Sequence, residues 1–340
     1  MRTEEFDYEL PKGAIAQSAI DPRDAARLLV ASSLRDRTFR DLPELLNPGD
    51  LVVVNRTRVR AARLTGQKPA TGGAVELLLL RRLDMERWEA LIRPARRVRA
   101  GVTLEFDDIR GVVLNEPADG VVTVRLTAAT GDVEDLLPVS GEIPLPPYFH
   151  GELDDPERYQ TVFAKTVGSA AAPTAGLHFT PTVVAGLASR GVEIAEVDLE
   201  VGLDTFRPMS VDNIEEHHIH RERYEIPQAA AAAVAATRRR RGRVVAVGTT
   251  VIRTLETAAC GDGLVRAGGG ESELFIRPGY QLGVVDAAVT NFHAPRTTLI
   301  ALVAAMLGSR WREAYAIALE RGYRFLSFGD AMFIDQPVNR

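Results

Sequence analysis

Apolar residues recur along this chain in three different rhythms. Ala26–Val30 and Leu51–Val54 are short unbroken apolar runs flanked by polar residues, and they read as strands buried on both faces. From 63 to 149 the segments are short, branched and evenly spaced: Val75–Leu80, Trp88–Ile92, Val102–Phe106, Gly111–Leu114 and Val121–Leu126. Turn-forming stretches at 84–87 and 116–120 separate them, which predicts a small antiparallel β barrel or sandwich. Beyond about 155, helical and strand patterns alternate. Helices are expected at Thr182–Arg190, Pro227–Arg241, Val251–Ala259 and Leu299–Leu307, with Gly191 and Gly242 as stops and Thr297 or Thr298 as a start. Strands are expected at Val192–Leu199, Val244–Val247 and Val284–Val289. The pattern therefore predicts an α/β chain: a large mixed domain from 1–62 and 150–340, with a smaller β domain inserted at 63–149. The stiff Gly141–Pro147 segment closes the insert like a linker.

Composition narrows the class. The chain has 340 residues, 46% of them hydrophobic and 26% charged, as in globular proteins with a substantial core. It has no run of roughly 18 apolar residues, so no transmembrane helix is expected. The start, Met-Arg-Thr-Glu-Glu-Phe, lacks an apolar signal core, and a cytoplasmic setting is expected. Cys260 is the only cysteine, which excludes an internal disulfide and any cysteine-cluster metal site. The net charge of −5 leaves an RNA partner open, because a local basic face suffices for one. Arg93-Pro-Ala-Arg-Arg-Val-Arg99 is such a face or a solvated loop. Arg238–Arg241 fall in the last turn of a helix, and its dipole accounts for most of that run.

Several polar, glycine-rich stretches sit at expected strand or helix ends. Gly168-Ser-Ala-Ala-Ala-Pro-Thr-Ala-Gly-Leu-His-Phe-Thr180 combines small residues with hydroxyls and an imidazole, a composition suited to a loop that holds a ligand. Gly248-Thr-Thr250 lies between a strand and a helix, where free N–H groups favour anions, and Arg253 follows one turn later. Thr290-Asn-Phe-His293 ends a strand, and Tyr323–Met332 has the makings of a pocket wall. In an extended segment His218, His220 and Glu222 share one face. That geometry suits proton transfer, substrate contact or a structural role. It suits a metal less, for want of a fourth ligand. Dinucleotide, Walker-type and nucleophile-elbow fingerprints are absent. The residues alone thus give a pocket for a polar, partly anionic ligand and leave the reaction open.

The motifs, taken together, resemble those of the S-adenosylmethionine:tRNA ribosyltransferase-isomerases of queuosine synthesis. The resemblance runs almost end to end. It is carried by Phe6–Pro11, Arg23-Asp24, Thr57-Arg-Val59, Glu157-Arg-Tyr-Gln-Thr161, Gly168–Thr180, Thr205-Phe-Arg-Pro208, His217–Glu222, Val247-Gly-Thr-Thr250, Pro278-Gly-Tyr280, Thr290–His293 and Tyr323–Met332. It implies a large α/β domain with a barrel-like sheet and a smaller inserted antiparallel β-barrel domain. It also implies a reaction. The ribosyl part of S-adenosylmethionine, the co-substrate, moves to 7-aminomethyl-7-deazaguanine at the tRNA wobble position and is isomerised to give epoxyqueuosine. Adenine and methionine leave, and no metal takes part. The implied partner is tRNA, the implied state a monomer or weak homo-oligomer.

This chemistry needs a base beside the sulfonium carbon, an acid for adenine, donors for the methionine carboxylate and flat surfaces for two bases. His178, His218, His220, Glu222 and His293 are the proton-transfer candidates on matching motifs. Pro173, Thr174, Ala175, Gly176, Thr205, Arg207, Gly248, Thr249, Thr250, Arg253 and Asn291 are expected to bind the co-substrate. Phe179, Phe206, Phe292 and Tyr323 are expected to supply ring surfaces. The chain departs from the family pattern at Arg56, Glu200, Asp204 and Val251. Two alternatives accompany the reading: a same-fold paralogue with an altered substrate, and a non-catalytic RNA-binding relative.

Overall fold

The computed structural model describes residues 1–340 except 119, 152, 154, 203–207 and 220, and it leaves the side chain of Arg97 undescribed. The chain divides into two compact units, Met1–Arg58 with Pro146–Arg340, and Val59–Leu145.

In the first part of the chain, β1 (Arg27–Val30) and β2 (Arg35–Thr38) form a hairpin, a short helix α1 (Leu42–Leu45) follows, and β3 (Leu51–Asn55) leads into β4 (Thr57–Val59). The Val59–Leu145 unit is a closed six-stranded barrel. Its strands are β5 (Arg63–Lys68), β6 (Gly73–Arg82), β7 (Arg87–Arg93), β8 (Thr103–Phe106), β9 (Ile109–Val113) and β10 (Val121–Ala128), in the order β10-β7-β6-β5-β8-β9. Alternate residues face inward, as the period of two requires. Leu77, Leu79, Trp88, Ala90, Ile92, Leu104, Phe106, Val122 and Val124 fill the interior. Gly66 is fixed by close approach, since a Cβ there would lie 2.1 Å from the Glu105 carbonyl oxygen. Helix α2 (Val133–Ser140) starts on Asp132, whose carboxylate accepts the Glu134 N–H, and lays Val133 and Leu137 on the barrel core.

The remaining elements belong to the larger unit. They are β11 (Thr166–Ser169), α3 (Pro181–Ser189), β12 (Glu193–Leu199), β13 (Glu222–Ile226), α4 (Gln228–Arg239), β14 (Val244–Val247), α5 (Thr249–Thr257), β15 (Gly268–Ser272), β16 (Ala287–Asn291), α6 (Thr298–Leu307), α7 (Arg310–Glu320) and β17 (Ala331–Ile334). Nine strands join in one mixed sheet, β15-β13-β12-β3-β14-β16-β17-β1-β2. Its centre, β12-β3-β14-β16, is parallel. Of these, β3 and β14 read as continuous apolar runs because both faces are covered, whereas β12 alternates and buries Ala195, Val197 and Leu199. Leu51, Val53, Val244 and Ala246 pack with α5, α6 and α7 on one side, and Val52, Val54, Val245 and Val247 pack with Phe39, Leu42, Val183 and Leu187 on the other. The strand expected at Val284–Val289 begins only at Ala287. The N–H groups of Gly283, Val284 and Val285 are instead taken by the buried Glu256 carboxylate at 2.7 to 2.9 Å.

Candidate functional site

Because the central strands are parallel, β12, β3, β14 and β16 bring their carboxyl ends to one edge of the sheet, where ligands gather in open α/β folds. A cleft opens there. Gly248, Thr249 and Thr250 line it after β14, and Thr290, Asn291 and His293 line it at the end of β16. Ala172, Pro173, Thr174 and Ala175 come from the small-residue loop. Tyr148, Val201, Ala294, Thr297, Leu299, Leu326 and Ser327 complete the wall. Among the described residues, no Asp, Glu, Lys or Arg side chain lines this cleft.

Local sequence explains the walls. Gly248 sits at φ 92°, a conformation that favours glycine, and it lets α5 start directly after β14. No side chain caps the first turn of α5, so its N–H groups face the cleft as anion donors. Thr174–His178 forms a tight 3₁₀ turn that carries Thr174 and Ala175 to the cleft. Gly176 stands behind that wall, where a Cβ would come within 3.0 Å of the Thr161 methyl. Thr297 caps α6 by accepting the Ile300 N–H at 3.4 Å.

One hydrogen-bonded chain joins the polar groups. The Thr174 hydroxyl donates to Asn291 Oδ1 at 2.9 Å, which leaves Asn291 Nδ2 to donate to His178 Nε2 at 3.2 Å and to the Asp330 carbonyl at 3.4 Å. His178 Nε2 therefore accepts, and the neutral ring carries its proton on Nδ1. His178 is buried against Phe39, with ring centres 5.0 Å apart. Burial, then the positive charges of Arg324 and Arg23, push its pKa down to about 3. His293 Nε2 lies 2.8 Å from the Thr290 hydroxyl, and burial pushes its pKa down to about 3 as well. The backbone of His293 is fixed from both sides: its N–H donates to the Tyr315 hydroxyl, and its carbonyl accepts from Tyr8. The Tyr148 and Ser327 hydroxyls bond to each other at the rim.

The structure brings together Pro173, Thr174, Ala175, Gly248, Thr249, Thr250, Asn291 and His293. Other expected site residues lie elsewhere. Arg253, expected as a carboxylate donor, is buried and pairs with Glu222 at 2.5 Å while donating to the Leu274 carbonyl. Glu222 is thereby committed to the interior, and His218 is exposed. Phe179, Phe292 and Tyr323 were expected to offer ring faces but are core residues. Phe179 packs edge-on against Phe39 at 5.0 Å, Phe292 against Tyr323 at 5.6 Å, and the Arg27 guanidinium covers the Tyr323 ring. Spacing along a chain says nothing of depth, and large aromatic area is worth most when buried. Thr205, Phe206, Arg207 and His220 lie outside the described residues, as does Asp204.

The other departures have structural partners. Arg56 donates to both oxygens of Asp198, Val251 is core, and Glu200 lines a separate groove with Asp198, Glu225 and Glu271. Among the described residues, no group of three or more His, Cys, Asp or Glu side chains is arranged to hold a metal. No helix among them is long and apolar enough to cross a membrane. Sequence reasoning named neither Tyr148, Val201 nor Ser327 as site residues. Ser327 stood within Tyr323–Met332, already noted as a pocket wall, and Tyr148 directly follows the Gly141–Pro147 segment.

Comparison with known proteins adds the family. A model of the family described as "Queuosine biosynthesis protein" matches residues 3–334. S-adenosylmethionine:tRNA ribosyltransferase-isomerases of Moorella thermoacetica and Symbiobacterium thermophilum are each 51% identical to the chain, over 98% of this chain and 100% of each relative. A crystal structure of S-adenosylmethionine tRNA ribosyltransferase from Thermotoga maritima is 38% identical, with a TM-score of 0.55, covering 97% of this chain and 99% of that one.

Proposed function

The chain belongs to the queuosine biosynthesis protein family, and on that premise we propose how its cleft carries out the family's reaction. It is an enzyme that takes S-adenosylmethionine as co-substrate and transfers and isomerises the ribosyl moiety onto tRNA. Identity of about half over essentially the full length disfavours a paralogue of altered substrate or a non-catalytic relative.

The proposal concerns the acceptor and the residue roles. The acceptor is 7-aminomethyl-7-deazaguanine at the wobble position, and the products are epoxyqueuosine-tRNA, adenine and methionine. The carrying observation is that the uncapped start of α5 faces the same cleft as Asn291 and His293. The helix start and the Thr249 and Thr250 hydroxyls hold the methionine carboxylate. No carboxylate among the described lining residues neutralises the sulfonium, so its charge acidifies the adjacent carbon. His293 is the one imidazole among the described residues that line the cleft, and it is assigned as the base. Burial keeps its ring unprotonated in the ligand-free cleft, and the Thr290 hydroxyl, 2.8 Å from Nε2, orients it. His178 does not line the cleft. It acts through Asn291, whose amide it holds in one orientation.

The test is direct. Enzyme, S-adenosylmethionine and tRNA bearing the aminomethyl deazaguanine should yield adenine and modified tRNA in equal amounts, while tRNA with guanine at that position should yield neither. His293→Ala should lower kcat by on the order of 10²-fold or more with little change in KM for S-adenosylmethionine. Full turnover in a folded His293→Ala enzyme would remove the assigned base.

A further inference from the structure

Ser327 stands in two walls at once. One faces the cleft; the other faces a small neighbouring hollow lined by Arg23, Arg158, His178 and Phe328. Arg324 does not line this hollow, but its charge acts on His178 together with that of Arg23. These arginines lie on Arg23-Asp24, Glu157–Thr161 and Tyr323–Met332, motifs with no role in the reaction as described above.

Three carboxylates, Asp155, Glu157 and Asp21, act on Arg23 and offset part of the positive charge there. Arg23 donates to the carbonyls of Gln160 and Glu157, and Arg158 to the Ile20 carbonyl and to Asp21, a carboxylate whose side chain is 83% exposed. Glu157 pairs with Arg58. Arg324 Nη1 reaches the Ser18 carbonyl at 3.2 Å, while its Nη2 is buried with no hydrogen-bond partner among the described residues. A buried guanidinium donor left unmet is costly, and an oxyanion satisfies it. Arg23 and Arg158 also line a wider surface groove, together with Thr161, Thr180, Pro181 and the carboxylates of Asp21 and Glu157.

We propose that Arg23, Arg158 and Arg324 form an oxyanion subsite for a backbone phosphodiester of the tRNA, next to the nucleotide held in the cleft. The inference rests on the function proposed above. A phosphodiester suits the subsite better than the methionine carboxylate for two reasons. The hollow shares two arginines with a surface groove along which a polymer can continue, and the uncapped start of α5 already provides for a carboxylate in the cleft itself.

Steady-state kinetics of Arg158→Gln and Arg324→Gln, against the wild type, test this. The wild type must first release adenine with the modified tRNA; if it does not, the proposed function fails and not the subsite. With wild-type activity established, each variant should raise KM for tRNA about tenfold and lower the slope of log affinity against log salt by roughly 0.7 to 0.9, while KM for S-adenosylmethionine holds. Arg158→Lys and Arg324→Lys keep the charge, so the salt slope should be retained and part of the affinity recovered. Unchanged KM for tRNA in folded Gln variants would overturn the subsite. A rise confined to KM for S-adenosylmethionine would overturn the phosphodiester assignment.

Discussion

Burial keeps His178 and His293 neutral, with the charges of Arg324 and Arg23 adding to the effect at His178, and the consequence is a pH dependence of stability with a defined sign. Each has its folded pKa lowered from 6.5 to about 3. Between those values the unfolded chain binds more protons, so stability rises with pH through that window. Their contribution is complete above about 6.5 and falls as pH drops toward 3. Urea unfolding between pH 7 and pH 4 should show a decline of up to about 1.4 kcal/mol per pH unit for each histidine. A His178→Gln/His293→Gln double variant should show a flatter curve over the same range, even if its absolute stability is lower. Parallel curves would mean that the two rings are not neutral in the folded state.

At the scale of elements, α5 does two jobs at opposite ends of its first turns. Its start faces the cleft, and Arg253, one turn on, ties it to β13 through Glu222. Removing one partner of a buried pair strands the other charge, at about 3 to 5 kcal/mol. Glu222→Ala should therefore lower the melting temperature and depress activity only in proportion to the folded fraction. Glu222→Leu with Arg253→Met should recover much of the loss. Loss of turnover in a fully folded Glu222→Ala enzyme would return Glu222 to the chemistry. The β14-to-α5 junction makes a different demand. A Cβ at Gly248 would have room, with Ala175 Cβ and the Thr250 hydroxyl both 3.8 Å away, yet φ 92° disfavours any side chain. Gly248→Ala should cost on the order of 1 kcal/mol in stability and weaken S-adenosylmethionine binding more than tRNA binding, because the α5 amides turn away. Calorimetric titration of each substrate separates the two.

On the scale of the whole molecule, the Val59–Leu145 barrel carries the basic segment 93–99, which we propose contributes to tRNA binding. The segment looked free of acids along the sequence, but folding places Glu116 3.6 Å from Arg99. Arg96 is exposed, and the Arg99–Glu116 pair is itself exposed and worth little. Replacing Arg96, Arg97 and Arg99 by alanine should weaken tRNA binding and flatten its salt dependence, leaving the barrel's melting behaviour nearly unchanged. Equal affinity at all salt concentrations would make the segment a solvated loop.

Element types were legible in the chain because they follow from local periodicity. The buried runs at Leu51–Val54 and Val244–Val247, the alternating segments of the barrel and the capped helix at Thr298–Leu307 each announce their structure within a few residues. The loops that build the cleft were legible too, as small and polar stretches at strand ends, and their motifs carried the family. Which side chains face the cleft was decided only by tertiary structure, since depth and direction depend on partners far away in sequence. Phe179, Phe292 and Arg253 had the right chemistry and went to the core, the last drawn there by Glu222, 31 positions away. Tyr148 and Ser327, 179 positions apart and both in turns, meet through their hydroxyls only in the folded chain.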